Sequence, residues 1–209
     1  DVGISTTKII GINEEGRVLS PIRIKATDPV TSLYGAFGKY LYDNKIQLGD
    51  VEKVMLTGVG AAYIDKAVYG LPTGKSEEFI ANGLGARYET GLERMMVVSM
   101  GTGTSIVKCD HDEILHLGGI GIGGGTLQGL SRLLLNTDDI KQVATLAEHG
   151  DLSHINVLIG DISRNPLPGL PMNAIASLFG NAKSDASRED LAIGLIWMVL
   201  PVSYTHLRA

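Results

Sequence analysis

Leu117-Gly118-Gly119-Ile120-Gly121-Ile122-Gly123-Gly124-Gly125-Thr126-Leu127-Gln128-Gly129-Leu130 is the stretch that decides how this chain folds. Six of the eight residues from Gly118 to Gly125 are glycine. Missing Cβ atoms let a ligand approach the backbone, and positive φ is permitted, so consecutive N–H groups can turn toward one anion. Leu127, Leu130, Leu133 and Leu134 then recur at helical spacing. The stretch therefore predicts a glycine cradle opening a helix, whose free N-terminal amides and dipole favour a bound phosphate. A flexible linker of this composition would be bordered by polar residues rather than by Leu117 and an amphipathic helix.

Immediately upstream, Met96 to Met100 reads as a strand leading into Gly101-Thr102-Gly103-Thr104-Ser105. The pattern continues through Ile106 to Cys109, a polar turn at Asp110-His111-Asp112-Glu113, and a return strand Ile114 to Leu117. The chain opens on a related pattern. Asp1 to Ile10 carries a Gly3-Ile4-Ser5-Thr6-Thr7 tip, followed by a turn at Asn13 to Gly16 and strand material at Arg17 to Leu19 and Ile22 to Ile24. Small-residue tips present N–H and hydroxyl donors to phosphate oxygens without steric obstruction. The phosphate site is expected from Gly3 to Thr7, Gly101 to Ser105 and Gly121 to Gly125 together.

Between and beyond these motifs the pattern alternates. Helices are predicted over Val30–Tyr42, Ala61–Val68, Glu78–Glu93, Thr137–His149 and Arg188–Val199, the last with Ser187 and Asp190 as a cap pair. Strands are predicted over Val51–Gly58 and Val157–Gly160. Gly83 and Gly85 weaken the third helix and predict close approach of another element. Pro201 is expected to end the last helix, and the aperiodic tail 201–209 is set aside from the fold as read-through sequence. The apolar residues of that helix exceed what one face needs, so Trp197 or its neighbours should be exposed. Hairpins, crossover helices and further strands place the chain in the α/β class.

Composition narrows the function. The 209 residues carry 23 Asp+Glu against 18 Lys+Arg, a net charge of -5, with no basic run, which argues against a nucleic-acid-binding module. A hydrophobic share of 44% suffices for a sizeable core. The single cysteine, Cys109, excludes an internal disulfide and points to a reducing compartment. No apolar run is long enough for a membrane helix, so a cytoplasmic protein with no membrane and no nucleic-acid partner is expected.

With these motifs in hand, the chain resembles the actin-like ATPase superfamily, and within it type II pantothenate kinase. Asp1-Val2-Gly3-Ile4-Ser5-Thr6-Thr7-Lys8-Ile9 is similar to that family's Asp-x-Gly-Gly-Thr-x-x-Lys-Ile motif. Met100 to Ser105 and Leu117 to Leu130 follow it almost residue for residue, and Ala147 to Asp151 and Ala174 to Gly180 also look like it. The resemblance implies ribonuclease H-like lobes with two phosphate-binding hairpins: an N-terminal lobe over 1–93 and a second, truncated lobe over 94–200. It implies transfer of the γ-phosphate of ATP, with Mg²⁺, to the primary hydroxyl of pantothenate, at the start of coenzyme A synthesis, by a protein that is a homodimer when full length.

The same resemblance supplies site roles. Glu78 is the general base, with Glu77 the alternative, and either could also be an ordinary helix-start carboxylate favoured by the dipole. Asp1 holds Mg²⁺ through water and Lys8 lies near the phosphates. Nucleotide contacts come from Gly3, Ser5, Thr6, Lys8, Gly101, Thr102, Gly103, Thr104, Gly121, Gly123, Gly124 and Gly125. Substrate contacts come from Ser105, His116, Gly118 and Gly119. Three residues depart from the family pattern, of which Ser5 replaces a threonine and keeps the hydroxyl. Ile4 replaces a glycine and should narrow the tip and restrict φ. His116 stands where many members carry an arginine, so a carboxylate would be met without a bidentate fork. Two other readings stand beside the kinase: an activator ATPase of 2-hydroxyacyl-CoA dehydratases, whose opening motif is as similar, and a non-catalytic nucleotide-binding regulator. One thiol per chain is a poor basis for the activator's iron–sulfur cluster.

Overall fold

The computed structural model describes residues 1–25, 28–165 and 168–208, with side chains to residue 200. It is α/β, and the chain divides into two compact units. The first comprises Asp1–Ser99 with Ser105–Gly118, and the second Met100–Thr104 with Gly119–Ala209.

In the first unit β1 (Thr6–Ile9) pairs antiparallel with β2 (Ile22–Lys25), with Thr6 opposite Lys25. The connecting turn is fixed by Asn13, whose Oδ1 accepts the N–H groups of Glu15 and Arg17. Helix α1 (Pro29–Asn44) starts where the Asp28 carboxylate accepts the Thr31 N–H at 2.7 Å and Pro29 presets φ. It ends at Lys45 in the left-handed region. Leu33, Phe37 and Tyr40 are buried as its apolar spacing requires, and Leu33 and Phe37 pack with Val2, Val54, Leu56 and Val68 in the unit's core. Strand β3 (Val54–Leu56) runs parallel to β4 (Thr73–Lys75).

The predicted helix over Ala61–Val68 is instead two short 3-10 turns, Val59–Tyr63 and Val68–Gly70. Gly60 explains the first, because a Cβ there would lie 2.6 Å from the Val2 carbonyl, and its N–H donates to that oxygen. The backbone is therefore committed to Val2 instead of to a helical ladder. Tyr69, at φ 50°, breaks the second. Helix α2 (Glu78–Thr90) closes at Gly91, φ 69°. The expected close approach occurs at Gly83, where a Cβ would meet Ile114 Cγ2 at 2.7 Å and Cys109 Sγ at 3.1 Å. Cys109 is buried in the sheet β5-β6-β7, formed by Arg94–Met100, Thr104–Asp110 and Glu113–Ile120 in that order.

The second unit is organised by three helices. Helix α3 (Gly124–Leu135) begins inside the glycine run and is capped at its end by Asn136. Helix α4 (Ile140–Ala147) is shorter than expected because Asp139 caps it, accepting the Lys141 N–H at 3.0 Å. Leu135, Val143, Ala147, Ala192 and Leu195 form the core. The strand predicted over Val157–Gly160 shortens to β8 (Val157–Leu158), paired antiparallel with β9 (Ile175–Ser177). The Asp161 carboxylate accepts the Leu158 N–H at 2.8 Å and turns the chain into α5 (Ile159–Ile162).

Helix α6 (Arg188–Arg208) runs through Pro201, against the expectation that it would stop there. A proline removes one ladder bond and crowds the preceding turn at about 3 kcal/mol. That bends or weakens a helix without ending it when the ladder resumes on the far side. Trp197 remains 46% exposed, as expected.

Ser187 caps α6 through its hydroxyl, which accepts the Asp190 N–H at 3.0 Å. The Asp190 carboxylate does not reciprocate. It accepts the Asp151 N–H at 2.7 Å and meets His154 Nδ1 at 3.0 Å. The Asp151 N–H, opposed by burial and helped by Ser187 and His154, holds the Asp190 carboxyl below its ordinary range. A carboxylate lowered on folding contributes stability above its unfolded pKa, about 3.9, and the contribution is lost as pH falls through the lower folded value. Asp190→Ala should therefore lower the free energy of urea unfolding by about 1–3 kcal/mol at neutral pH. The difference from wild type should shrink in acid, and a difference independent of pH would show that the carboxylate is not the source.

Candidate functional site

The sequence-predicted residues divide between the two units. The first holds Asp1, Gly3, Ser5, Thr6, Lys8, Glu78, Ser105, His116 and Gly118, and the second holds Gly101 to Thr104, Gly119, Gly121 and Gly123 to Gly125.

In the first unit, the backbones of Asp1 and Lys8 exchange two hydrogen bonds of 2.9 Å, and Val2 faces Thr7 across an antiparallel bridge. The tip between them closes by the Gly3 N–H donating to Thr6 O at 3.1 Å. A Cβ on Gly3 would lie 2.7 Å from that oxygen, so glycine is needed for space and not for φ. Ile4, expected to narrow the tip and restrict φ, is 67% exposed and does not adopt a positive φ. Lys8 Nζ lies 2.7 Å from Asp1 Oδ2, pairing the cation and carboxylate that the motif supplies.

Sequence reasoning missed what seats this tip. Val2 N–H donates to Thr57 O at 2.7 Å, and Gly58, φ 88°, leaves no room for a Cβ, which would lie 2.5 Å from Asp1 Oδ1. The Thr57-Gly58-Val59-Gly60 segment thus backs Asp1. The signal was present in the two glycines just beyond the strand.

Glu78 is the first residue of α2 and is partly buried, whereas Glu77 before it is exposed and forms no side-chain cap. Ser76 N–H donates to Leu56 O at 2.8 Å, which seats the start of α2 beside β3. His116, on β7, stacks face to face on Phe79, with ring centroids 3.7 Å apart and planes 3° from parallel. The structure thus joins the residue expected at the substrate carboxylate to the neighbour of the expected base.

In the second unit the glycine run is used differently from the sequence expectation. Gly124 N–H donates to Gly101 O at 2.8 Å and Gly125 N–H to Thr102 O at 2.9 Å, while Gly123 N–H meets Thr126 Oγ1 at 3.3 Å. These first amides of α3 are engaged within the unit and are not free. Cβ atoms on Gly123, Gly124 and Gly125 would all fall within 3.0 Å of the Gly101–Gly103 tip. The glycines allow helix and tip to touch backbone to backbone. Thr104 Oγ1 donates to Ile122 O at 2.9 Å and locks the other side. Gly101 and Gly121 face open space, since a Cβ meets nothing closer than 3.9 Å at the first and nothing within 4 Å at the second. Close ligand approach is available there.

Within the first unit an exposed lysine and the small-residue tip beside it are groups suited to phosphate oxygens. Among the described residues no cluster of three His, Cys, Asp or Glu side chains could hold a metal ion. A lone carboxylate such as Asp1 suits Mg²⁺, which keeps waters and takes most remaining ligands from phosphate oxygens. A cavity of about 670 Å³ in the second unit, lined by Asp151, Ser153, Asn173, Ile175, Leu178 and Trp197 among others, lay outside the sequence reading.

The sequence profile of the Fumble family matches residues 86–201. A type II pantothenate kinase of Bacillus anthracis is 36% identical over 110 residues, 50% of this chain and 40% of that protein. One of Staphylococcus epidermidis is 31% identical over 163 residues, 72% of this chain and 61% of that protein. The chain thus spans about half the length of the curated relatives it matches. Two solved structures share its fold. The activator of the 2-hydroxyisocaproyl-CoA dehydratase from Clostridium difficile, with bound ADPNP, superposes with a TM-score of 0.69 at 14% identity, covering 99% of this chain and 73% of that one. Component A of the Acidaminococcus fermentans (R)-2-hydroxyglutaryl-CoA dehydratase gives 0.65 at 15% identity, covering 98% and 74%. The fold is that of the actin-like ATPases.

Proposed function

We propose that this chain, which belongs to the Fumble family, forms the phosphate-handling part of an ATP-dependent kinase that phosphorylates the primary hydroxyl of pantothenate, in the cytoplasm and as a homodimer at full length. The observation that carries the reading is that one unit holds the Asp1–Lys8 pair and, beside Glu78, the Phe79–His116 stack. Relatives named type II pantothenate kinase support the substrate. By sequence we place the N-terminal lobe at 1–93 and the second lobe at 94–200; the compact units differ in assigning 94–99 and 105–118 to the first.

Glu78 would accept the hydroxyl proton as the substrate oxygen bonds to the γ-phosphorus and the bond to the β–γ bridging oxygen breaks, releasing ADP. Lys8 with the hydroxyls of Ser5 and Thr6 in the first unit, and Thr102 with the backbone at Gly103 and Gly121 in the second, would meet phosphate oxygens, while Gly3, Gly101 and Thr104 would act by holding their tips closed. Gly123, Gly124 and Gly125 would act by holding α3 against its tip. Ser105, Gly118 and Gly119 would line the substrate beside His116. Asp1 would hold Mg²⁺, which offsets phosphate charge when bound.

The activator reading is favoured by the fold alone. Cys109, its required thiol, is 1% exposed and packs near Gly83, poorly placed to ligate a cluster at a surface. Among the described residues no helix is long and apolar enough to cross a membrane. In a chain of the relatives' full length, ADP release from Mg-ATP should depend on pantothenate and yield phosphopantothenate. Nucleotide turnover indifferent to pantothenate overturns the kinase assignment, and binding without turnover supports a regulator.

A further inference from the structure

Helix α2 begins with few side-chain restraints. Glu77 makes no capping hydrogen bond, Gly83 is the helix's buried residue, and Gly85 has open space around it. Its first turn carries Glu78, whose usefulness as a base depends on where the carboxylate is held, since a displacement of about 1 Å can cost about 10²-fold in rate. Two contacts locate that turn. Ser76 N–H donates to Leu56 O at 2.8 Å just before it, and the Phe79 ring lies flat on His116 of β7 within it. One residue is about 100° of helix, so fixing the Phe79 ring fixes the direction in which the Glu78 side chain leaves the axis.

We propose that Phe79 is a positioning residue for the Glu78 carboxylate, acting through its stack on His116. The inference rests on the pantothenate kinase reading given above. It assigns separate roles to the two rings: Phe79 acts on turnover through Glu78, and His116 acts on substrate binding through its nitrogens.

The test uses a chain of the relatives' full length. Phe79→Leu keeps apolar bulk and abolishes stacking, and it should lower kcat roughly tenfold to a hundredfold with KM for pantothenate changed little. Phe79→Tyr should restore kcat. His116→Phe keeps an aromatic pair without nitrogens and should raise KM while leaving kcat near wild type. In proton NMR, ring-current shifts on the His116 signals should vanish in Phe79→Leu and persist in Phe79→Tyr. An active wild type whose kcat survives Phe79→Leu overturns this proposal alone, as does equal loss in the Leu and Tyr variants or wild-type His116 signals without a ring-current shift. A wild type that never phosphorylates pantothenate, with the ring-current shift present, overturns the kinase reading and the positioning role with it, leaving only the stack.

Discussion

Glu78→Gln should reduce pantothenate-dependent turnover by about 10²–10⁴-fold while nucleotide affinity stays near wild type, in a chain of the relatives' full length. Glutamine matches the shape and hydrogen-bonding length of glutamate and cannot accept the hydroxyl proton, so the loss should fall on kcat. Nucleotide affinity should survive because the proposed phosphate donors are lysine, hydroxyl and backbone N–H groups rather than the Glu78 carboxylate. The adjacent Glu77 is the internal control. It is exposed and lies outside the helix, so Glu77→Gln should leave turnover within about twofold. Steady-state ADP release together with equilibrium binding of a fluorescent ATP analogue separates the outcomes. Loss in Glu77→Gln with retention in Glu78→Gln would move the base one residue upstream.

Parts of this fold were legible because local chemistry decided them. The Leu33, Phe37, Tyr40 spacing, the hairpin turn at Asp110 to Glu113 and the Ser187 cap all reappear in the structure. The errors share a cause, which is that a distant partner or a single side chain overrode the pattern. The apolar run Val157 to Gly160 looks like a strand until the Asp161 carboxylate takes the Leu158 N–H and starts a helical turn. Residues 61–68 have helical spacing, yet Gly60 is bonded to Val2, from the far end of the unit. The candidate site behaved the same way. Tip residues were recognisable by type, whereas the Phe79–His116 stack joins two segments whose proximity no spacing encodes. Glycine was also ambiguous at sequence level. Gly58 and Gly91 serve positive φ, Gly3 and Gly83 serve space, and Gly121 has neither demand within the chain.

That last distinction yields the second large effect, at Gly123. Its φ of -178° is extended backbone open to any residue, so Gly123→Ala carries no conformational penalty and acts through sterics alone. The new Cβ would lie 2.8 Å from Thr102 O and from the Gly103 carbonyl carbon, and 2.9 Å from Gly103 Cα, all backbone atoms that cannot rotate away. The start of α3 must then separate from the tip, weakening the bonds from Gly124 to Gly101 and from Gly125 to Thr102. Two such bonds at about 0.5–1.5 kcal/mol each imply a destabilisation of about 1–3 kcal/mol. Displacement of the tip should weaken nucleotide binding about tenfold to a hundredfold. Gly121→Ala provides the contrast, because its Cβ meets nothing within 4 Å inside the chain. It should melt with wild type and still bind nucleotide more weakly if phosphate approaches the backbone there. Should Gly123→Ala melt and bind as wild type does, the backbone contact between helix and tip is not what these glycines serve. Should Gly121→Ala bind normally, the phosphate lies elsewhere on the unit.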